Sequence, residues 1–189
     1  ALQWACGPEA RERGADATRI TVMGESAGGH LAALLVLRTL QADTIKIRSL
    51  VLYYAALDPG DRTQSSATWP LHSHPPASRS SSLLAWVFEK TVLSGQPWEG
   101  SEPLAVLESD PSLQRRWPRT LAVHGTADGV VHPTHTEKLF SLLAVCEERT
   151  IQDTVVWVPI GRHAFDVWQC PLVQAVFDGT TSWLTMVSD

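Results

Sequence analysis

The sequence predicts an α/β protein built on a parallel sheet, and three observations carry that prediction. Strand-like and helix-like stretches alternate along most of the chain. The strand-like stretches are near-continuous apolar runs, the pattern of strands buried on both faces by helices. Turn signals, Gly24 to Gly28 and Asp58-Pro59-Gly60, close the first two of them.

Taken in order, Leu2 to Arg13 reads as a helix leading through Gly14 into a strand at Arg19 to Met23. Ala27 to Leu40 follows as a helix, with Leu31, Leu34, Leu35 and Leu37 in helical register. Ile47 to Ala56 is a β-rich second strand. The alternation then breaks. From Asp61 to Pro118 the chain is rich in Ser, Pro and Trp, with one helical pattern over Leu83 to Leu93. Residues 59–118 are therefore expected to form a cap-like insertion within a single domain spanning residues 1–189. Regularity returns with a strand at Thr120 to His124, a helix at Thr134 to Val145, a strand at Thr154 to Val158 and a last helix at Leu172 to Met186. The result is about four parallel strands flanked by helices.

Composition narrows the function classes. With 44% hydrophobic and 19% charged residues the chain has an ordinary globular balance. The net charge of -5 comes without a basic stripe, which argues against nucleic acid and anionic membranes and leaves a small molecule as the expected partner. Cys6, Cys146 and Cys170 are odd in number, far apart and without metal-ligand spacing, so neither a disulfide framework nor a zinc site is expected. A reducing, cytoplasmic compartment fits them. No apolar run is long enough to span a bilayer, and Leu31 to Leu37 is short and helix-patterned. Because the chain opens on Ala1 rather than Met, a lost N-terminal signal stays open.

The chemistry gathers at three strand ends. Gly24-Glu25-Ser26-Ala27-Gly28 lies between a strand and a helix, the context in which G-x-S-x-G forms a nucleophile elbow. Such a turn strains the serine backbone and needs small residues close by, a need assigned here to Gly24 and Gly28. It lifts the Ser26 hydroxyl above the sheet, and the following helix start aims N–H groups at developing negative charge, with Ala27 as one oxyanion donor. Val123-His124-Gly125-Thr126-Ala127-Asp128 puts an acid after the third strand, and Gly161-Arg162-His163-Ala164-Phe165-Asp166 puts a histidine after the fourth. Serine, aspartate, histidine is the chain order of nucleophilic hydrolases with this strand–turn–helix elbow. In that arrangement His163 takes the proton of Ser26 and Asp128 fixes the imidazole tautomer.

These motifs carry a resemblance. Gly24 to Ala32 matches G-[ED]-S-A-G-G-H-L-A, His124 to Val131 matches H-G-x-x-D-x-x-V, and His163 to Asp166 matches H-A-F-D. In these the chain resembles the hormone-sensitive-lipase-like and feruloyl-esterase-like (BD-FAE) carboxylesterases of the α/β-hydrolase superfamily. The likeness covers most of Leu2 to Val187, loosely from Asp61 to Pro118. It implies a partial α/β-hydrolase fold, a serine carboxylesterase acting through an acyl-enzyme on small to medium uncharged esters, and a triad of Ser26, Asp128 and His163, with Ala27 as oxyanion donor and no cofactor or metal. Such esterases carry several strands before the elbow and an upstream His-Gly-Gly-type loop with further oxyanion donors. Neither precedes Ser26 here, so the chain is expected to be the C-terminal part of such a protein, either a partial gene product or one whose missing half comes from another chain. The N-terminal strand should then be an open edge, and these residues alone poorly soluble and nearly inactive.

Other readings stay beside this one. The fold could serve as a ligand-binding module, or be a remnant whose triad outlived its oxyanion loop; an amidase, arylformamidase or prenylcysteine methylesterase would use the same residues. Asp58, after the second strand, is the rival acid. Glu25 reads as an orienting or surface carboxylate, and His30 as a residue on the helix surface. His72 with His74, and His132 with His135, lack a third ligand at metal spacing. Trp69, Trp86 and Trp98 in the insertion are the tryptophans expected to line a substrate pocket.

Overall fold

A computed structural model describes residues 1–58, 102–146 and 153–188. Its centre is a parallel sheet of four strands, β1 (Thr21–Glu25), β2 (Ser49–Tyr53), β3 (Arg119–Gly125) and β4 (Thr154–Val158), arranged in sequence order. Neighbouring strands pair in parallel throughout, with Gly24 opposite Leu52, Tyr53 opposite Val123 and Gly125 opposite Val158. The ends that carry the three motifs therefore lie side by side along one edge of the sheet.

Side chains of a strand alternate between faces, and here both faces are covered. Leu50, Leu52 and Ala122 pack beneath a layer of four helices: α3 (Ala27–Ala42), α4 (Pro103–Ser109), α5 (Pro111–Arg116) and α6 (Thr134–Ala144). Val51, Tyr53, Leu121 and Val123 point the other way, against Val173, Val176, Trp183 and Val187 of α7 (Pro171–Ser188). Every residue of β2 is buried, which is why its sequence is an unbroken apolar run. Trp117, fully buried in the first layer, still satisfies its indole N–H by donating to the Thr120 hydroxyl at 3.0 Å. Asp110 caps α5 by accepting from the Ser112 N–H at 2.9 Å.

Several boundaries differ from the sequence expectation. The N-terminal helix is two short helices, α1 (Leu2–Ala5) and α2 (Pro8–Glu12), because Pro8 offers no N–H and holds Gly7 in an extended conformation. β1 begins two positions later than expected and runs to Glu25, pairing with β2 up to the residue before Ser26. The second strand is shorter than expected and stops at Tyr53, since Tyr54 takes a left-handed φ of 38°. Of the insertion placed at residues 59–118, the part from 102 to 118 is described, and Leu104, Leu107, Leu113 and Trp117 there join the core shared with α3 and α6. The helix expected over Leu83 to Leu93, together with His72, His74, Trp69, Trp86 and Trp98, lies outside the described residues. No helix among the described residues is long and apolar enough to cross a membrane.

Candidate active site

β1 delivers Ser26 into a sharp turn with φ 50° and ψ −120°, and α3 begins at the next residue. A non-glycine residue at such a φ costs about 1–3 kcal/mol and persists only where its surroundings over-determine it. They do so here. The Ser26 N–H extends the β1–β2 ladder by donating to the Tyr53 carbonyl at 3.0 Å, and the Ser26 carbonyl accepts from His30 N–H at 3.2 Å and Ala56 N–H at 3.1 Å. The glycine requirement differs in detail from the sequence expectation. A Cβ on Gly24 would lie 2.3 Å from the Gly28 carbonyl oxygen, and one on Gly29 would lie 2.4 Å from the Ala55 Cβ, whereas one on Gly28 would meet nothing within 4 Å. Gly24 and Gly29 are thus the positions where a side chain is excluded, and Gly28 contributes its backbone.

His30 also departs from expectation. It is fully buried rather than on the helix surface, and its Nδ1–H donates to the Ala56 carbonyl at 2.9 Å. The same segment that bonds to the Ser26 carbonyl is thereby tied to α3, one turn into the helix.

The acid follows β3 in a loop locked to the one after β4. Thr126 N–H donates to the Val158 carbonyl and Ala127 N–H to the Gly161 carbonyl, both at 2.9 Å. Gly125 sits so close to Gly161 that a Cβ on it would come within 2.2 Å of the Gly161 oxygen. Asp128 is buried, and both of its oxygens are engaged. Oδ1 accepts from the N–H groups of Val130 at 2.9 Å and Val131 at 3.0 Å, and Oδ2 accepts from His163 Nδ1 at 2.8 Å. His124 Nε2 stands 3.4 Å from Oδ2 and 3.0 Å from the Val131 carbonyl. With acceptors on that side, Nε2 must carry the proton, which leaves Nδ1 to accept from the Thr136 hydroxyl at 2.7 Å. Burial alone would raise the Asp128 pKa; the hydrogen bonds from His124 and His163, the charge His163 can carry and the Val130 N–H outweigh it and bring the carboxyl to about 2.

His163 completes the line. Its Nδ1 is a donor to Asp128, so Nε2 is an acceptor, and the Ser26 hydroxyl stands 2.9 Å from it. The structure thus brings Ser26, His163 and Asp128 together, with Ala27 next to Ser26 as the first helical residue, whose N–H has no acceptor within its own helix. Asp58 is placed otherwise: its carboxylate is met by Lys138 at 3.4 Å, which also reaches Glu108 at 3.3 Å, and its N–H donates to His135 Nδ1. His132 Nδ1 pairs with the Thr134 hydroxyl.

Two residues that the motifs alone did not single out also border His163. Tyr54, buried at the end of β2, sets its ring edge-on to the His163 imidazole with centroids 4.8 Å apart. Its phenol donates to Asp166 Oδ1 at 2.6 Å, with Glu25 Oε2 at 3.3 Å as a longer second acceptor. Burial, the hydrogen bond to Asp166 and the two carboxylate charges all push the phenol pKa up, so it remains a donor. Asp166 had appeared only as the last letter of H-A-F-D, and Tyr54 as one of two adjacent tyrosines closing a strand.

A G-x-S-x-G turn between β1 and a helix, with an aspartate after β3 and a histidine after β4 of a parallel sheet, is the pattern of the α/β-hydrolase class. The alpha/beta hydrolase fold family model matches residues 1–138, and the chain belongs to that family. No curated protein matches it in sequence. Among solved structures it is similar to carboxyl esterase 2 from the mycorrhizal fungus Tuber melanosporum, at 20% identity and a TM-score of 0.75, with 100% of this chain covering 60% of that one. It is also similar to a Rhizomucor miehei esterase (22%, TM-score 0.71, 98% of this chain and 55% of that one). A third likeness is to esterase LipW from Mycobacterium marinum (24%, TM-score 0.67, 98% and 55%). At these identities the likeness is one of fold, and the chain spans at most 60% of the length of these three.

Proposed function

We propose that this chain carries the nucleophile, general base and acid of a serine hydrolase that cleaves small to medium uncharged carboxylic esters through an acyl-enzyme. The observation that supports it is the unbroken hydrogen-bonded line from Ser26 Oγ to His163 Nε2 at 2.9 Å and from His163 Nδ1 to Asp128 Oδ2 at 2.8 Å.

In this reading the Ser26 oxygen attacks the ester carbonyl as its proton passes to His163 Nε2. The carbonyl oxygen becomes an oxyanion, which the Ala27 N–H and the positive end of α3 stabilise. Collapse of the tetrahedral intermediate breaks the bond to the alcohol oxygen, and His163 returns the proton to it. A water molecule, deprotonated by the same Nε2, then attacks the acyl-serine and releases the acid, regenerating Ser26. Asp128 remains ionised throughout and stabilises the imidazolium that forms twice per turnover. Its depressed pKa, about 2, suits that role, because the carboxylate does not compete for the proton.

The test is pre-steady-state hydrolysis of p-nitrophenyl butyrate by the full-length gene product. A burst of p-nitrophenol matching the concentration of active sites, absent from Ser26→Ala, supports the acyl-enzyme; turnover that survives Ser26→Ala contradicts it.

A further inference from the structure

Tyr54, Asp166 and Glu25 form a polar cluster beside the base that none of the acyl-transfer steps uses. A single hydrogen bond from Nδ1 to Asp128 fixes a direction for His163 but not the rotation about that line, and Nε2 lies off it. What packs against the ring, and the loop that carries it, help to hold its plane before substrate displaces the bond to Ser26. The Tyr54 ring meets the imidazole at 66° with centroids 4.8 Å apart. Tyr54 is itself held at every point. Its backbone sits at φ 38°, its N–H donates to the Val123 carbonyl at 2.8 Å, its ring packs on those of Tyr53 and Phe165, and its hydroxyl donates to Asp166.

Asp166 stands three residues after His163 in the same loop, in the 3-10 turn Phe165–Val167. That loop contains two non-glycine residues in the left-handed region, Ile160 at φ 59° and Ala164 at φ 55°, so it needs external bonds to keep its shape. We propose that Tyr54 and Asp166 are positioning residues for the general base: their hydrogen bond clamps the base loop to the end of β2 and holds the His163 ring in the plane from which Nε2 reaches Ser26. The inference rests on the serine-hydrolase reading above. A phenol has one proton to give, and at 2.6 Å against 3.3 Å it goes to Asp166 rather than Glu25.

The experiment measures p-nitrophenyl butyrate hydrolysis by the full-length gene product and its variants, with competent sites counted by fluorophosphonate labelling. Tyr54→Phe keeps the ring and loses the bond; Asp166→Ala loses the same bond from the other end. Each is expected to lower kcat about tenfold with KM unchanged, the cost of a misaligned base rather than of lost binding. Because both break one bond, the double variant should be no worse than either single change. Asp166→Asn, which retains an acceptor oxygen, should recover most of the loss, and this Asn-against-Ala pair decides the matter even if Tyr54→Phe does not fold. Singles with unchanged kcat, losses that multiply in the double variant, or Asp166→Asn as impaired as Asp166→Ala would overturn the proposal. Ser26→Ala, run in parallel, separates the two claims: if it still turns over substrate the hydrolase reading fails, and if it is dead while the other variants are unimpaired only the clamp fails.

Discussion

The loops that carry Asp128 and His163 are locked to each other across a glycine–glycine contact, whereas the strand that delivers Ser26 has, among the described residues, a sheet neighbour on one side only. β3 is buried along nearly its whole length. In β1, by contrast, Thr21, Met23 and Glu25 are exposed, Met23 by 48%. The elbow nevertheless keeps its strained geometry, because its restraints come from the β2 side: the Tyr53 carbonyl, the Ala56 N–H and, through Ala56, His30. The difference teaches where this site gets its shape. Asp128 and His163 are positioned by their own packed loops, and Ser26 by the end of β2. Changes in the loops that carry Asp128 and His163 should therefore be costly.

The largest effect should come from the acid. Asp128→Asn leaves an amide where His163 needs an acceptor of fixed charge, and kcat should fall by about 10⁴ as in other triads. Asp58→Asn disturbs a pair with Lys138 rather than a bond to His163, so its effect should stay under about tenfold. A reversal of that order in steady-state kinetics would move the acid to the end of β2.

Next come the glycines. Gly125→Ala forces a methyl group into the Gly161 backbone, and urea unfolding should show a loss of about 3 kcal/mol or more. Gly28→Ala meets open space at the start of a helix and should change stability by no more than about 1 kcal/mol. Equal losses at the two positions would mean that the elbow is as tightly packed as the acid–base contact.

That Ser26, Asp128 and His163 lie together was legible in the sequence, because each sits in a short local motif at a strand end, where chain order alone predicts neighbours. The strand at Thr154 to Val158 was legible to the residue for the same local reason, a β-branched run. What stayed hidden depends on contacts between distant segments. Nothing local says that His30 faces Ala56, that Gly29 rather than Gly28 meets Ala55, or that Gly125 touches Gly161. The Tyr54–Asp166 bond joins residues 112 positions apart. The break at Gly7-Pro8 follows from proline chemistry, inside a stretch whose pattern is otherwise helical.

A smaller effect should appear in acid. Asp128 has its folded pKa depressed from 3.8 to about 2, so the stability it contributes is present above its unfolded pKa and is lost as pH falls through that interval. The loss should be on the order of 2 kcal/mol, and Asp128→Asn should remove that part of the pH dependence. Denaturant midpoints measured from pH 5 to about 2 would show it, and identical slopes in both proteins would count against a paired carboxylate.

A last effect should appear on the side of β1 away from β2. Met23→Lys places a charge on an exposed edge strand and should reduce self-association of the 189-residue chain by light scattering. Scattering unchanged by the substitution would show that association runs through another surface.

The most direct test of the central claim is to treat the full-length gene product with a fluorophosphonate and map the adduct by peptide mass spectrometry. The account predicts a single modified serine, Ser26, with labelling slowed sharply in His163→Ala and less so in Asp58→Asn. An adduct on another serine, or labelling of Ser26 at an undiminished rate without His163, would contradict it.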